Sequence, residues 1–536
     1  MLLIMPQIEK KAYHKPLSFD TTMRNPERIA QWIDCLLEYE GKILTNEIII
    51  DILKETYRRK LTWTMYMKKN SRLWSIYIDD SKEFNEEDLQ NIIENSADGK
   101  NKKHKEAGFD KGWPSRFATR FSLAMEFGFV KYAIGEPIII SKTGHMLINA
   151  YNEEQRNADK IQNIFLNTLM KYQSNNPYRK NLNANVPLLL LLNVIKLLKE
   201  VDAESAGVYR KEISLLICWP NNNAKELCDK ILRIRNDKGF KYSDEYIYDI
   251  CLDYLVREGK SKEEIKKEFK MSKITVEAVD DLIRKMRITG IISLRGGGRF
   301  LDFNTLEMKK IEYIIKNYTN YTEFAEKEKY FEYMGEIDNN ILELSNTKIE
   351  NEAEIIQRAL KKYAGIYTKQ EVYEELKIVC EKRESKDILF KSIDGPERLE
   401  FLTSIALKQH FSEIKIYPNY KPDDEGIPTC TAGGGKADIE CYDNECNSFF
   451  EVTLMADKKQ ATQEIPAITQ HLLEAMEKDP KKISFSVMIA PNIQFQSRYM
   501  VDFSKQKYNV DIKAFSIYEF IEKIAQCIKI IDFCIE

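Results

Sequence analysis

The chain has 536 residues, 43% of them hydrophobic, and this length exceeds what one core can serve, so roughly three or four domains are expected. Charged residues make up 31%, yet the net charge is −3, which argues against a histone-like or tail-type nucleic-acid binder. The run Val186–Leu192 is far shorter than the roughly 20 residues of a membrane span, and no secretory signal is visible, so we expect a cytoplasmic protein with reduced cysteines and no membrane partner.

Residues 1–165 are predicted to form a first winged-helix-like domain. A helix is expected from Pro26 onwards, with Asn25 as its N-cap. A second amphipathic helix ends at Gly128 and is followed by a strand pair whose turn contains Gly135. A helix followed by a two-stranded hairpin is typical of the winged-helix fold.

Residues 166–310 are predicted to repeat this arrangement as a second winged-helix-like domain. A helix with Ser272 or Thr275 as its N-cap is expected to run to Arg287, and Gly290 ends it. Two short strands then flank a glycine-rich turn. Residues 311–390 are rich in Glu, Lys and Tyr, which predicts a linker of charged helices between the two halves of the chain.

Arginines are concentrated in the helices and turns of these two units. A lone arginine is usually a solvated surface residue, but two basic helix–hairpin units on one chain favour contact with phosphates and a groove of double-stranded DNA. The predicted DNA-binding residues are Arg24, Arg28, Arg116, Arg120, Arg284, Arg287, Arg295 and Arg299.

Residues 391–536 are predicted to form a small mixed sheet flanked by helices. One helix is expected after Pro396 and another over residues 465–477. Two apolar segments around residues 438–452 are joined by a turn, and two more apolar strands are expected at residues 483–490 and 511–515.

Two carboxylates occupy the first pair of apolar segments. Asp438 follows the glycines 433–435, and Glu451 lies inside the second segment. If the segments pair as a hairpin, both side chains can face one place and bind a hard cation such as Mg²⁺, the usual device for attacking a phosphodiester. Glu451 taken alone could simply be on the solvent face of its strand.

Four further residues near this hairpin are candidates for the same site. Glu400 lies on the preceding helix, Glu464 and His471 on the following one, and Lys459 after the second strand. Glu464 could instead be a charge favoured by the helix dipole. Lys459 could be part of a solvated lysine pair, and His471 an ordinary half-buried imidazole.

These residues resemble the AlwI-type restriction endonucleases and the related nicking enzymes. The resemblance rests on Lys15–Arg28 with Glu38–Thr45, and on the block Asp438…Glu451-Val-Thr453…His471. It implies an α+β multidomain protein with helical recognition domains, a helical linker and a C-terminal α/β cleavage domain of the PD-(D/E)xK type.

By the same resemblance, Asp438 and Glu451 would be the metal carboxylates, while Glu400, Glu464 and His471 match further positions of the catalytic block. Thr453 stands where the general nuclease pattern has a lysine. The nicking relatives share Glu-Val-Thr, so the threonine is no sign of inactivity. It leaves the group that activates the water unassigned.

The resemblance implies a Mg²⁺-dependent type IIS endonuclease that binds a short asymmetric site and cuts at a fixed offset, with one active site per chain. Cutting both strands would then need a transient homodimer or a second cleavage subunit. Two alternatives remain open: a strand-specific nicking endonuclease, and a DNA-binding regulator whose nuclease domain is inactive.

Overall fold

The structure is a computed structural model that describes residues 16, 17, 19, 26, 28–79, 82–100, 109–152, 158–256, 260–319, 321–344, 352–433, 435–455 and 460–534. Arg24 and Lys459 lie outside the described residues. In the part that is described, no helix is long and apolar enough to cross a membrane.

The first 170 residues form a helical unit with one short hairpin. Its elements are α1 (Arg28–Asp34), α2 (Asn46–Arg58), α3 (Met65–Lys69), α4 (Ser71–Ile78), α5 (Glu86–Asn95), α6 (Trp113–Glu126), β1 (Val130–Lys131), β2 (Ile139–Ile140), α7 (Lys142–Asn152) and α8 (Ala158–Leu169). The sequence predicts a first helix that continues through Leu37, but α1 ends at Asp34 and a separate 3₁₀ turn covers residues 37–39.

The predicted helix–hairpin of this unit is present. Helix α6 ends just before Gly128, whose φ is +73°. A Cβ at Gly128 would lie 2.3 Å from the Cβ of Met334, so this position needs glycine both for its backbone angle and for its close contact. Val130 and Ile140 then pair across β1 and β2, which run antiparallel.

The second unit has the predicted helix–hairpin order. Its elements are α9 (Pro187–Val201), β3 (Val208–Tyr209), α10 (Ile213–Cys218), α11 (Ala224–Lys238), α12 (Asp244–Leu255), α13 (Lys262–Glu268), α14 (Ala278–Arg287), β4 (Ile292–Arg295) and β5 (Phe300–Phe303). The apolar run that is too short for a membrane span is the buried side of α9. A π-helical turn, residues 273–277, precedes α14, and β5 pairs with both β4 and β3. The winged-helix assignment of both units stays a prediction.

The segment predicted to be a helical linker is helical. It contains α15 (Met308–Asn317), α16 (Lys327–Gly335), α17 (Asn339–Leu344), α18 (Glu352–Ile366) and α19 (Lys369–Cys380). The boundaries predicted at 165/166 and 310/311 fall inside α8 and α15. The chain therefore passes through helices at these two points and not through loops.

The C-terminal part is a five-stranded mixed sheet between helices. Its elements are α20 (Ile388–Lys391), α21 (Gly395–His410), β6 (Lys415–Pro418), β7 (Lys421–Pro422), β8 (Pro428–Cys430), β9 (Ile439–Tyr442), β10 (Cys446–Val452), α22 (Ile465–Lys478), β11 (Ile483–Ala490), α23 (Phe495–Tyr508), β12 (Asp511–Ser516) and α24 (Ile517–Gln526). The strand order is β12-β11-β10-β9-β6, parallel from β12 to β10 and antiparallel from β10 to β6. The α+β class, the predicted strands and the helix after Pro396 are confirmed.

The central strand β10 is buried along its whole length because helices cover both faces of the sheet. Phe450 belongs to the large hydrophobic core, which also contains residues of α21 and α24. Its neighbour Phe449 points to the opposite face and packs with Ile468 and Leu472 of α22. This alternation sets which residues of β10 face each helix layer.

Candidate active site

The hairpin of β9 and β10 brings Asp438 and Glu451 together. Ile439 pairs with Phe450, so the residue before β9 lies beside the residue after Phe450. The Asp438 backbone N–H donates to Glu451 Oε2 at 3.3 Å, and the Val452 N–H donates to Asp438 Oδ2 at 2.7 Å. The predicted convergence of the two carboxylates is therefore present, and it follows from the strand register.

The surroundings of Asp438 and Glu451 disfavour the ionised form of both carboxyl groups. Burial raises the pKa of Asp438 well above its usual range, and the neighbouring Glu451 charge raises it further. Burial also raises the pKa of Glu451, opposed by its hydrogen bond with His471. Two acids held this close favour a cation between or beside them, because positive charge would remove their repulsion.

Helix α22 adds two of the predicted residues. His471 Nδ1 lies 3.1 Å from Glu451 Oε1, and this contact raises the pKa of the imidazole. Glu464 precedes the first turn of α22, and its charge contributes to the raised pKa of Asp438. The structure thus places four of the predicted residues close enough to influence one another's pKa: Asp438, Glu451, His471 and Glu464.

Glu400 lies on α21 and is 3% exposed. Its carboxylate accepts a hydrogen bond from the Ala432 N–H, at 3.1 Å for Oε2. Ala432 is in the segment that leads to Asp438, so Glu400 fixes the backbone of this segment through the hydrogen bond.

Two residues that the sequence did not single out support Asp438. The Asn419 N–H donates to the Asp438 carbonyl at 2.8 Å, and its side-chain amide donates to Ala437 O and to Glu440 Oε1. Glu440 also accepts from the Tyr442 hydroxyl at 2.6 Å. The spacing of two between Asp438 and Glu440 could have marked Glu440, since alternate strand residues share a face. No local signal marks Asn419.

Gln460 is a third residue missed by the sequence reasoning. It is fully buried, and its amide donates to Met455 O at 2.6 Å and to Asn492 O at 2.8 Å. Its Oε1 accepts from the Ser497 hydroxyl at 3.1 Å. These bonds fix the chain at the end of the segment that carries Lys459.

Thr453 stands at the position where the general nuclease pattern has a lysine, and its polar groups make local hydrogen bonds. Its backbone N–H donates to Ile489 O, and its hydroxyl accepts from the Met455 N–H at 3.1 Å. The side chain therefore shapes the turn after β10.

The donor set fits a hard divalent cation. Carboxylate oxygens are the ligands such ions prefer, and both carboxyl groups here have raised pKa values. Within the described ranges, no group of three or more His, Cys, Asp or Glu side chains is arranged to hold a metal ion.

Three of the arginines predicted to bind DNA are committed to contacts inside the protein. Arg120 is 4% exposed and donates to the Tyr57 hydroxyl at 2.9 Å. Arg287 is 5% exposed and pairs with Asp423 at 2.6 Å. Arg295 is half-buried among acidic side chains. The guanidinium groups of these three arginines are thus engaged in contacts within the protein, and their role in DNA binding stays a prediction.

The other described arginines differ in exposure. Arg284 is half-buried and donates to Lys391 O at 3.3 Å. Arg116 pairs with Asp98 at 2.5 Å and stays half-exposed. Arg28 and Arg299 are exposed, and their guanidinium groups donate to the backbone carbonyls of Leu61 and Gly296.

A model of the AlwI restriction endonuclease family matches residues 125–388 and 337–522, together more than half of the chain. The chain belongs to the AlwI restriction endonuclease family. It is therefore a DNA-binding, site-specific deoxyribonuclease of a restriction–modification system. The match includes Asp438, Glu451 and His471, whereas the N-terminal block at residues 15–45 lies outside it. Restriction endonucleases generally use divalent metal ions.

Three solved structures similar to this AlwI-family enzyme share little sequence with it. The small subunit R.BspD6I2 of the heterodimeric restriction endonuclease R.BspD6I is 22% identical, with 29% of this chain and 77% of that chain covered and a TM-score of 0.25. Restriction endonuclease FokI is 12% identical, with 96% of each chain covered and a TM-score of 0.22. FokI bound to DNA is 10% identical, with 96% and 95% covered and the same TM-score. TM-scores this low do not relate individual residues of the site to residues of those structures. No curated protein matches the chain.

Proposed function

We propose that this AlwI-family enzyme is a type IIS endonuclease that binds a short asymmetric site and cuts at a fixed offset, using Mg²⁺ and one active site per chain. The observation that supports the proposal is the carboxylate pair: Asp438, which directly precedes β9, lies beside Glu451 of β10. We further propose that this domain is a cleavage domain of the PD-(D/E)xK type, which a mixed sheet with paired carboxylates supports.

In this proposal Asp438 and Glu451 hold the divalent cation. When bound, the cation supplies positive charge that offsets the charge developing on the phosphate oxygens. Without a cation, the two carboxylates would repel a DNA phosphate, so the positive charge is needed for the phosphate to approach them. His471 Nδ1 lies within hydrogen-bond distance of Glu451 Oε1, so the imidazole orients this carboxylate. Glu464 adds negative charge near Asp438.

The group that takes the proton from the attacking water is proposed from the sequence only. Thr453 uses its hydroxyl within the turn after β10. Lys459 follows the same strand in the chain, and its segment ends at the buried Gln460. We therefore keep Lys459 as the candidate that assists the water near the scissile phosphate.

The exposure of each arginine side chain reduces the set of residues that we propose to contact DNA. Arg28 and Arg299 are exposed and Arg116 is half-exposed, so each can reach a phosphate without breaking a buried contact. Arg24 stays in the set on sequence grounds. Arg284 would contact DNA only if its bond to Lys391 O is exchanged.

Double-strand cleavage needs a second cleavage domain, and α23 offers a face for one. Phe495, Tyr499 and Phe503 are 78%, 62% and 43% exposed, and their spacing of four puts them on one side of the helix. Arg498 and Asp502 lie exposed beside this aromatic stripe with opposite charges, and Arg498 also pairs with Glu519 of the same chain at 3.4 Å. In an antiparallel two-fold pairing centred on Tyr499, this ring would meet its counterpart and Arg498 would lie near Asp502 of the second copy, so the surface would be complementary to itself. We propose a second copy of this chain as its occupant.

Tyr499→Glu should convert a linearising enzyme into a nicking one. The substitution places two negative charges at the two-fold axis, so plasmid linearisation is expected to fall about tenfold or more while the first nick keeps its rate. Gel analysis of supercoiled, nicked and linear plasmid over time measures both steps.

Lys505→Gln is the matched control, because Lys505 is exposed on another side of α23 and the charge change is equal. Linearisation by Tyr499→Glu at the wild-type rate would contradict the second-copy face. A wild-type enzyme that only nicks would favour the strand-specific alternative.

The proposed function is tested by incubating supercoiled plasmid with the full-length enzyme and Mg²⁺, and with EDTA in place of the metal. We expect a discrete fragment pattern with Mg²⁺ and intact plasmid with EDTA. Sequencing of the ends should place every cut at one distance from a shared asymmetric sequence. Band shift without any cleavage in Mg²⁺ would instead support the DNA-binding regulator.

A further inference from the structure

Residues 421–430, which we call the acidic hairpin, connect the sheet of the cleavage domain with the second helix–hairpin unit. The acidic hairpin is formed by β7 and β8, and its tip has the sequence Asp423-Asp424-Glu425. The tip lies against α14, β4 and α18 of the helical linker. This contact is distinct from the chain connection through residues 311–390.

The first anchor of the tip is a buried ion pair. Asp423 is fully buried, and its Oδ2 accepts from Arg287 Nη1 at 2.6 Å. Arg287 Nη2 donates to Pro428 O at 2.7 Å, so one guanidinium spans the hairpin. Asp423 Oδ1 accepts from the Ile427 and Glu425 backbone N–H groups, which fixes the shape of the tip.

The second anchor is Asp424, whose two oxygens are surrounded by donors of the second unit. Oδ2 accepts from Arg295 Nη2 at 2.7 Å and from the Thr305 hydroxyl at 2.6 Å. Oδ1 accepts from the Ser293 hydroxyl at 2.5 Å. Burial acts against the ionised form, yet the bonds from Arg295, Ser293 and Thr305 leave the pKa of Asp424 lowered. A carboxylate held by this many donors is locked in place.

The linker also reaches the tip. Lys362 of α18 donates to Glu425 at 2.9 Å, and Arg358 of the same helix donates to the Asp424 carbonyl at 3.1 Å. Recognition unit, linker and cleavage domain therefore meet at one point. Breaking one of these buried ion pairs would leave a buried charge without its partner. Because this is unfavourable, the junction is rigid.

The base of the acidic hairpin adjoins the active site on both sides. Before β7, the Asn419 N–H donates to the Asp438 carbonyl at 2.8 Å. After β8, the Ala432 N–H donates to Glu400 at 3.1 Å. A single short element thus runs from Arg287 and Arg295 of the second unit to the backbone of the metal-binding carboxylate.

We propose that the acidic hairpin fixes the distance between the recognised sequence and the cut. This inference rests on the proposed offset cleavage. A cleavage domain attached only through the linker could rotate about it, whereas a second, buried attachment removes that freedom. The position of Asp438 relative to bound DNA is then set by the acidic hairpin, and the enzyme cuts at one place.

Asp424→Asn and Arg295→Met test the proposal from its two sides. We expect both variants to bind the site, to spread the cut over several neighbouring positions, and to cut at the wild-type position about tenfold less often or lower still. End mapping by sequencing on a long DNA with one site measures this. Thr305→Val removes a single donor to Asp424 and should give a smaller spread; it decides the question if the charge variants do not fold.

Glu445→Gln is the control, because Glu445 lies on the surface of the cleavage domain and pairs with Lys529 of the same domain. It should keep the single wild-type position. Folded variants that cut only at the wild-type position would overturn the inference, whether or not their rates change. A wild-type enzyme with no fixed position would overturn the proposed offset cleavage instead, so the two failures are distinguishable.

Discussion

Asp438→Asn is expected to abolish cleavage while leaving DNA binding intact. The loss should be at least about 10³-fold, which corresponds to about 4 kcal/mol of transition-state stabilisation. An amide oxygen can still accept the hydrogen bond from the Val452 N–H, so the hairpin geometry is retained. The negative charge needed to hold a divalent cation is lost. Cleavage of a one-site DNA and a band shift in Ca²⁺ measure the two properties separately.

The same variant should be at least as stable as the wild type in the absence of metal. Burial and Glu451 raise the pKa of Asp438, so the folded state binds this proton more tightly than the unfolded chain does. Ionised Asp438 therefore costs stability, and the cost grows as pH rises from the usual carboxyl range through the raised pKa. An asparagine removes this cost, so at pH 7.5 the unfolding midpoint should equal or exceed that of the wild type.

Metal should separate the two proteins further. Saturation at about 100 times the dissociation constant stabilises a one-site protein by about 2.7 kcal/mol. We expect Mg²⁺ to raise the unfolding temperature of the wild type and not that of Asp438→Asn. Glu413→Gln, at an exposed position of the same domain, should behave like the wild type. Robust cutting by Asp438→Asn would remove the basis for the metal assignment.

Arg287→Met should destabilise the protein by about 3–5 kcal/mol. The variant leaves Asp423 fully buried without its cation. Burial already raises the pKa of Asp423 and Arg287 opposes that rise. Without Arg287 the carboxyl group should take up a proton more readily, so the loss of stability should shrink as pH is lowered. Urea denaturation followed by tryptophan fluorescence at several pH values measures this.

Arg299→Ala is the matched control for Arg287→Met. Arg299 is exposed and its guanidinium donates to Gly296 O, so the change should stay within about 0.5 kcal/mol. The double variant Arg287→Met with Asp423→Asn should recover much of the loss, because no buried charge remains unpaired. A stable Arg287→Met protein that loses only site binding would return Arg287 to the DNA-contacting set.

The sequence predicted several helices and strands of residues 391–536 because their signals are local. The turn at residues 443–445 joins two short apolar segments, and the strand register then follows from a few hydrogen bonds. The helix that carries His471 is likewise marked by apolar spacing along one stretch of chain. Asn419 and Gln460 escaped notice because an isolated amide side chain carries no periodic signal.

The arginines show what local reasoning misses. Arg287 and Arg295 sit in a helix and a strand end where basic residues suit DNA contact, and the sequence favoured that role. Their partners Asp423 and Asp424 are 136 and 129 residues away along the chain. Whether a charge is solvated or paired depends on which distant segment packs against it, and this is a property of domain packing.

The sequence by itself thus determined the helix–hairpin order of the first two units, several main helices and strands of residues 391–536, the hairpin that joins Asp438 to Glu451, and the family resemblance that a family match confirmed. The tertiary structure alone decided which arginines are exposed, that Glu400 and Asn419 hold the approach to Asp438, and that an acidic hairpin reaches the second unit. The physical reason is distance: secondary structure and hairpin register are fixed by neighbours within a few residues. Burial and ion pairing are fixed by segments that meet only when the domains pack.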